Sequence, residues 1–91
     1  MPTSCQLALY PLRTEALTPA IDTALAVLHR HPVTVAPGDL STLVTGEPAE
    51  VFDAVRDAYV AANTVADCVL VATFSDACPS PATSERARGD T

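Results

Sequence analysis

The sequence contains no lysine and no tryptophan, and only three of its 91 residues are glycine. Five arginines are set against eleven acidic residues, which gives a formal net charge of −6. Nucleic-acid-binding proteins need a basic stripe that displaces counterions from phosphates, so this charge balance argues against a nucleic-acid partner. The shortage of glycine also argues against a phosphate-binding loop lined by backbone amides.

Long apolar runs are missing as well. No run approaches the ~20 apolar residues of a membrane span, and the first residues, MPTSC, show no basic segment followed by an apolar core. We therefore expect a cytoplasmic protein without membrane insertion. The cysteines, Cys5, Cys68 and Cys78, are odd in number and match no zinc-binding spacing, which favours free thiols in a reducing compartment.

The length of the chain predicts one small domain. We place the folded, ligand-binding domain at residues 1–78. Residues 79–91 contain few large apolar side chains, which predicts a disordered tail. A core of this size is thin, so association between copies would help to stabilise it.

The pattern of apolar residues predicts a β-α-β-β-α-β order. Strands are expected at residues 3–10, 33–36, 40–45 and 68–74, with helices starting near Thr18 and Glu47. This order predicts an α+β, ferredoxin-like βαββαβ two-layer sandwich, with an antiparallel sheet and two helices on one face. The last strand, CVLVATF, shows no polar alternation before Thr73, so both of its faces need cover. A second copy of the chain is the expected cover.

This fold carries many functions, and several can be tested by residue. Heavy-metal carriers need a CxxC pair near the first loop, which here reads YPLRTEA. RNA-recognition domains need aromatics on the central strands, where Tyr10 stands alone. Acyl-phosphate hydrolases of similar topology pair an arginine such as Arg13 with an asparagine, which LSTLVT lacks. His29 and His31 point to different sides of a helix, so we expect no metal site. The remaining polar residues match no catalytic motif, and we also expect no catalytic residue and no cofactor.

Three segments together resemble the thiamin/hydroxymethylpyrimidine-binding YkoF family: SCQLALYPL, GDLSTLVTGEPAEVFDAVRDAYVAA and CVLVATFSDACP. The resemblance covers roughly residues 4–79, nearly all of the predicted fold. It implies a ferredoxin-like domain that binds thiamin through its pyrimidine part and performs no catalysis. YkoF itself looks like two such domains in tandem, whereas this chain holds one. A single repeat would need to form a homodimer or tetramer to rebuild the paired arrangement.

The chemistry of an aminopyrimidine selects the candidate contacts. Its ring nitrogens accept hydrogen bonds and its amine donates them, and a glutamine amide can meet both. Hydroxyl groups also donate and accept, and a tyrosine ring can stack on a flat ligand. The candidate ligand-binding residues are Gln6, Tyr10, Ser41, Thr42, Thr73 and Ser75.

Two questions stay open at the level of sequence. Gln6 fits a pocket, but it fits an oligomer interface as well, and Ser41 and Thr42 must point opposite ways along a regular strand. The expected function is a cytoplasmic carrier, sensor or salvage partner for thiamin or hydroxymethylpyrimidine. The alternative is a structural or regulatory oligomerisation domain without a thiamin-related ligand.

Overall fold

The computed structural model describes residues 2–38 and 41–76. Within them the chain forms the expected β-α-β-β-α-β order. The predicted tail at residues 79–91 lies outside the described residues. The elements are β1 (Thr3–Pro11), α1 (Thr18–His29), β2 (Thr34–Pro37), β3 (Thr42–Gly46), α2 (Pro48–Val65) and β4 (Cys68–Ser75).

The four strands form one antiparallel sheet in the order β2-β3-β1-β4. Strands β1 and β3 are therefore central, as the crossover rule for this connection predicts. Both helices pack on one face of the sheet, so the α+β ferredoxin-like prediction is confirmed. Strand β4 is an edge strand that pairs with β1 along its whole length, from Ser4↔Ser75 to Pro11↔Cys68.

The core lies between the helices and the inner face of the sheet. Alternate residues of the central strands point into it, with Cys5 and Val44 fully buried. The helices contribute many alanines, and small side chains let two helices approach each other closely. The buried helix residues are Ala20, Ala24, Val27, Leu28, Val51, Ala54, Val55, Ala58 and Ala62.

On the other side of the sheet the described residues place no helix, and we call this side the open face. Residues directly opposite each other on neighbouring strands share a face, so the register defines its members from Gln6 outward. The open face is formed by Thr34, Ala36, Leu43, Thr45, Ser4, Gln6, Ala8, Tyr10, Val69, Val71, Thr73 and Ser75.

The predicted third strand, residues 40–45, starts later than expected. In the described residues β3 begins at Thr42. Ser41 is already part of the turn from β2, because its carbonyl oxygen accepts a hydrogen bond from the Gly38 amide at 2.8 Å. This shift places the Ser41 side chain at the corner between the sheet and the turn.

Candidate functional site

Gln6 and Ser41 meet at this corner. Gln6 lies exposed on the open face of β1, between Leu43 of β3 and Thr73 of β4. Its Nε2 atom donates a hydrogen bond to Ser41 Oγ over 3.1 Å. Because the turn holds the backbone of Ser41 through Gly38, the serine hydroxyl stands in a defined position beside the glutamine amide. The pair presents donor and acceptor groups side by side.

A cavity of about 120 Å³ lies next to this pair, between α1 and β1. Strand β1 pairs with β3 only as far as Leu7↔Thr42 in the described residues, so the later part of β1 leaves space on that side. The turn after β2 borders the same space. The lining residues are Leu7, Ala8, Leu9, Ile21, Ala24, Leu25, Leu28, Gly38, Ser41 and Thr42.

The walls of the cavity are mainly apolar, and Ser41 and Thr42 are the polar side chains among the described residues that line it. None of the described residues that line it carries an ionisable side chain. An apolar slot with a few hydrogen-bonding groups at one end is suited to a small, flat heteroaromatic ring. The volume is similar to the roughly 150 Å³ of an engineered apolar cavity that takes up benzene, so one six-membered ring is a suitable occupant.

Thr42 and Thr73, two of the predicted ligand residues, lie on opposite sides of the sheet. Thr42 is opposite the buried Leu7 and lines the cavity. Thr73 is directly opposite Gln6, which places it on the open face beside the glutamine. The structure thus brings Gln6, Ser41 and Thr73 together and sets Thr42 on the cavity side.

Tyr10 and Ser75 lie at opposite ends of the open face. Tyr10 is four residues along β1 from Gln6, about 13 Å at the usual rise of a strand, and is 54% exposed. Ser75 is opposite the buried Ser4, at the other end of the sheet. The structure therefore does not bring Tyr10 together with the Gln6–Ser41 pair, and its role as a ligand contact stays a prediction.

The cavity also uses residues that the sequence analysis did not select. Ile21 and Leu25 belong to the apolar stripe of α1, and Gly38 belongs to the turn. A stripe of apolar residues looks the same in sequence whether it fills a closed core or borders a cavity. The contribution of Gly38 could have been predicted from the turn, because Gly38 and Ser41 lie in the same short connection between two predicted strands.

The other reactive groups among the described residues lie away from the cavity. The imidazole Nε2 of His31 contacts Asp57 Oδ2 at 3.1 Å, which links the end of α1 to α2. Among the described residues, no group of three or more histidine, cysteine or acidic side chains is placed to hold a metal ion. Cys5 and Cys68 are free cysteines, and burial raises the pKa of the Cys5 thiol to about 11.

Comparison with known proteins identifies the family of this chain. The sequence profile of the YKOF-related family matches residues 2–81. The chain belongs to the YkoF-related family. No curated protein matches the sequence. In the described region, neither helix has the length and apolar character needed to cross a membrane.

Solved structures with the same fold come from bacteria and an archaeon. A hypothetical protein from Methanocaldococcus jannascii matches with a TM-score of 0.81 and 16% identity, covering 99% of this chain and 98% of that one. A Streptococcus pneumoniae protein matches with a TM-score of 0.78 and 22% identity over the full length of both chains. A Thermotoga maritima protein, proposed to act in thiamine biosynthesis or salvage, matches with a TM-score of 0.78 and 18% identity, covering 98% and 99%.

Proposed function

We propose that this member of the YkoF-related family binds thiamin or its hydroxymethylpyrimidine part in the cavity between α1 and β1. The observation that carries the proposal is the Gln6–Ser41 hydrogen bond beside an apolar cavity of single-ring size. The family match and the thiamine-related description of the Thermotoga maritima protein support the choice of ligand.

The pyrimidine ring enters the cavity and its polar edge meets the corner residues. Ile21 and Leu25 of α1, which are both half-buried, provide apolar walls for the ring faces. The hydroxyls of Ser41 and Thr42, which line the cavity, supply donors and acceptors for an aminopyrimidine. The Gln6 amide, hydrogen-bonded to Ser41 from the open face, adds a further donor and acceptor. The cationic thiazolium stays outside, where the net charge of −6 on the chain favours a cation.

The proposed activity is binding without catalysis. The lining side chains offer hydrogen bonds and apolar contact, and none of the described ones can act as an acid or base near neutral pH. A cytoplasmic carrier, sensor or salvage partner needs only a selective and reversible site of this kind. We also propose that the chain acts as a homo-oligomer.

Thermal unfolding tests the ligand. Binding at ten times the Kd stabilises the native state by about 1.4 kcal/mol, which amounts to several degrees in a domain of this size. Thiamin and hydroxymethylpyrimidine should both raise the Tm. The thiazole alcohol half of thiamin is the matched control and should leave the Tm unchanged.

An unchanged Tm favours the second candidate function. If saturating thiamin and hydroxymethylpyrimidine both leave the Tm where it was, the chain is a structural or regulatory oligomerisation domain. Its exposed apolar side chains, which include Tyr10 at 54% and Val71 at 52%, are the observation that keeps this second function in view.

A further inference from the structure

Among the described residues that line the cavity, Gly38 is the one without a side chain. It follows β2 directly, and its amide donates a hydrogen bond to the Ser41 carbonyl oxygen over 2.8 Å. Glycine is often required where φ is positive, but the φ of Gly38 is not. The conformation of the backbone at this position therefore does not explain the glycine.

The close approach of the Ser41 backbone does explain it. A Cβ atom at position 38 would lie 2.9 Å from the Ser41 carbonyl oxygen, which is shorter than the roughly 3.3–3.6 Å of close carbon–oxygen contacts between strands. The obstacle is a backbone atom and not the flexible end of a side chain, so any side chain at position 38 has to displace the turn. Because Gly38 is exposed and outside the strands, this displacement leaves the core intact.

The residue that such a displacement would move is Ser41, whose side chain lines the cavity. Its Oγ atom accepts the hydrogen bond from Gln6 Nε2 over 3.1 Å. Because the oxygen accepts this bond, the hydroxyl hydrogen points in another direction, and an acceptor inside the cavity can receive it. A ring nitrogen of an aminopyrimidine is such an acceptor. Hydrogen bonds weaken steeply when their angle falls below about 120°, so this contact depends on where the turn holds the serine.

We propose, on the basis of the function proposed above, that Gly38 is a positioning residue of the ligand site and determines its specificity. By keeping position 38 free of a side chain, it lets the turn hold the Ser41 hydroxyl where this group donates to a ring nitrogen of the ligand. The site thereby prefers a ring that carries an acceptor at this edge over an apolar ring of the same size. Gly38 acts through Ser41 and needs no polar contact with the ligand itself.

Titration calorimetry of Gly38→Ala with thiamin is the first test. The affinity should fall about three- to tenfold, as for the loss of one hydrogen bond, while circular dichroism should show a folded chain. Gly46→Ala is the matched control, since Gly46 ends β3 and does not line the cavity. A Cβ atom there would meet the Val33 side chain at 3.1 Å. Any effect of this control should therefore appear in the Tm, with the thiamin affinity unchanged.

A double-mutant cycle separates positioning of Ser41 from a general disturbance of the turn. If Gly38 acts through the serine hydroxyl, the effect of Gly38→Ala should largely disappear once that hydroxyl is gone. In a Ser41→Ala background, Gly38→Ala should therefore weaken thiamin binding by at most about twofold. An equal loss of affinity in both backgrounds would overturn the proposal.

The ligand provides an independent measurement of specificity. A thiamin analogue with a phenyl ring in place of the aminopyrimidine has no ring nitrogen at this edge, so Gly38→Ala should leave its affinity unchanged. A loss as large as that for thiamin would contradict the specificity of the turn. Wild-type binding of thiamin with an equal affinity in Gly38→Ala would overturn the role of Gly38 alone. No thiamin binding by the wild type would overturn the proposed function together with it.

Discussion

Gln6 Nε2 donates a hydrogen bond to Ser41 Oγ across 3.1 Å, and the two residues are 35 positions apart in the chain. The bond joins β1 to the turn before β3 at the point where the open face borders the α1 cavity. The polar side chain of Gln6, which lies within the mainly apolar strand β1, therefore has a defined partner. This partner in turn lines a cavity of single-ring size.

Replacing Gln6 tests whether this pair contacts the ligand. Gln6→Leu keeps the size of the side chain and deletes its amide. We expect thiamin affinity to fall about three- to tenfold by isothermal titration calorimetry, as for the loss of one net hydrogen bond of about 0.5–1.5 kcal/mol. Thr34→Val removes a polar group from the same face at an exposed position and should keep the wild-type affinity.

An unchanged affinity in Gln6→Leu would assign the glutamine to the interface between copies. The same variant then has a second expected effect, because a leucine would make the open face more apolar. Its dimer dissociation constant should fall, which sedimentation at several protein concentrations measures directly.

The fold could be predicted from sequence because two repeat patterns were clear. Residues such as Cys5 and Leu7 alternate with Gln6 along β1, and the helices show apolar steps of three and four. The face of Thr73 could not be predicted in the same way, because β4 is apolar on both sides. Only the pairing of Gln6 with Thr73 assigns it.

The site was predictable only in part for a related reason. Residue type and strand phase select Gln6, and residue type offers Ser41 and Thr42 as alternatives, but the contact of Gln6 with Ser41 depends on how the turn from β2 places Ser41. The separation of Tyr10 from Gln6, by contrast, follows from strand phase and the rise per residue alone, which already place the two residues about 13 Å apart on one face. Chemistry can be read from single residues, whereas proximity across strands depends on register.

The charge of the ligand should influence affinity. Arg13 and Arg56 are engaged in ion pairs, with Arg13 at 3.0 Å from Asp67, and no described arginine lines the cavity. On a chain of net charge −6, the anionic thiamin pyrophosphate should bind about tenfold more weakly than thiamin at low ionic strength.

Salt gives this prediction a second measurement. Screening shortens the reach of surface charges, with a Debye length of about 10 Å at 0.1 M and about 3 Å at 1 M salt. Titration calorimetry should show the affinity gap between the two ligands narrowing as salt is added. Tighter binding of the pyrophosphate at any salt concentration would contradict the proposed charge preference.

Leu28 should make a large contribution to stability. It is fully buried on α1, packed against the core. Leu28→Ala deletes buried methyl groups and leaves a cavity, which typically costs about 2–5 kcal/mol of unfolding free energy. Leu17→Ala is the control, since Leu17 is 49% exposed before the start of the same helix, and it should cost well under half as much.

Urea denaturation at one fixed protein concentration measures both variants. The concentration must be held constant because association contributes to apparent stability by mass action. Equal losses in Leu28→Ala and Leu17→Ala would show that the core between α1 and the sheet contributes little to stability.

The Cys5 thiol should make stability fall at alkaline pH. Burial raises its pKa from 9.0 to about 11, partly opposed by a hydrogen bond with the backbone of Thr73. Between these two values the unfolded chain releases the thiol proton while the folded chain keeps it. Because the unfolded state then binds fewer protons, the unfolding free energy should decrease as pH rises from about 9 to about 11, by up to about 1.4 kcal/mol per pH unit.

Cys5→Ala provides the reference for this pH dependence. It removes the titrating thiol from the core and leaves Cys68, Cys78 and both tyrosines in place. Urea denaturation at pH 8, 9 and 10 should therefore give a steeper decline for the wild type than for the variant, with the two curves converging as pH rises. The convergence follows because the wild type begins with the better packed core and then loses stability to thiol ionisation. Parallel curves across this range would show that the Cys5 thiol ionises as easily in the folded chain as in the unfolded one.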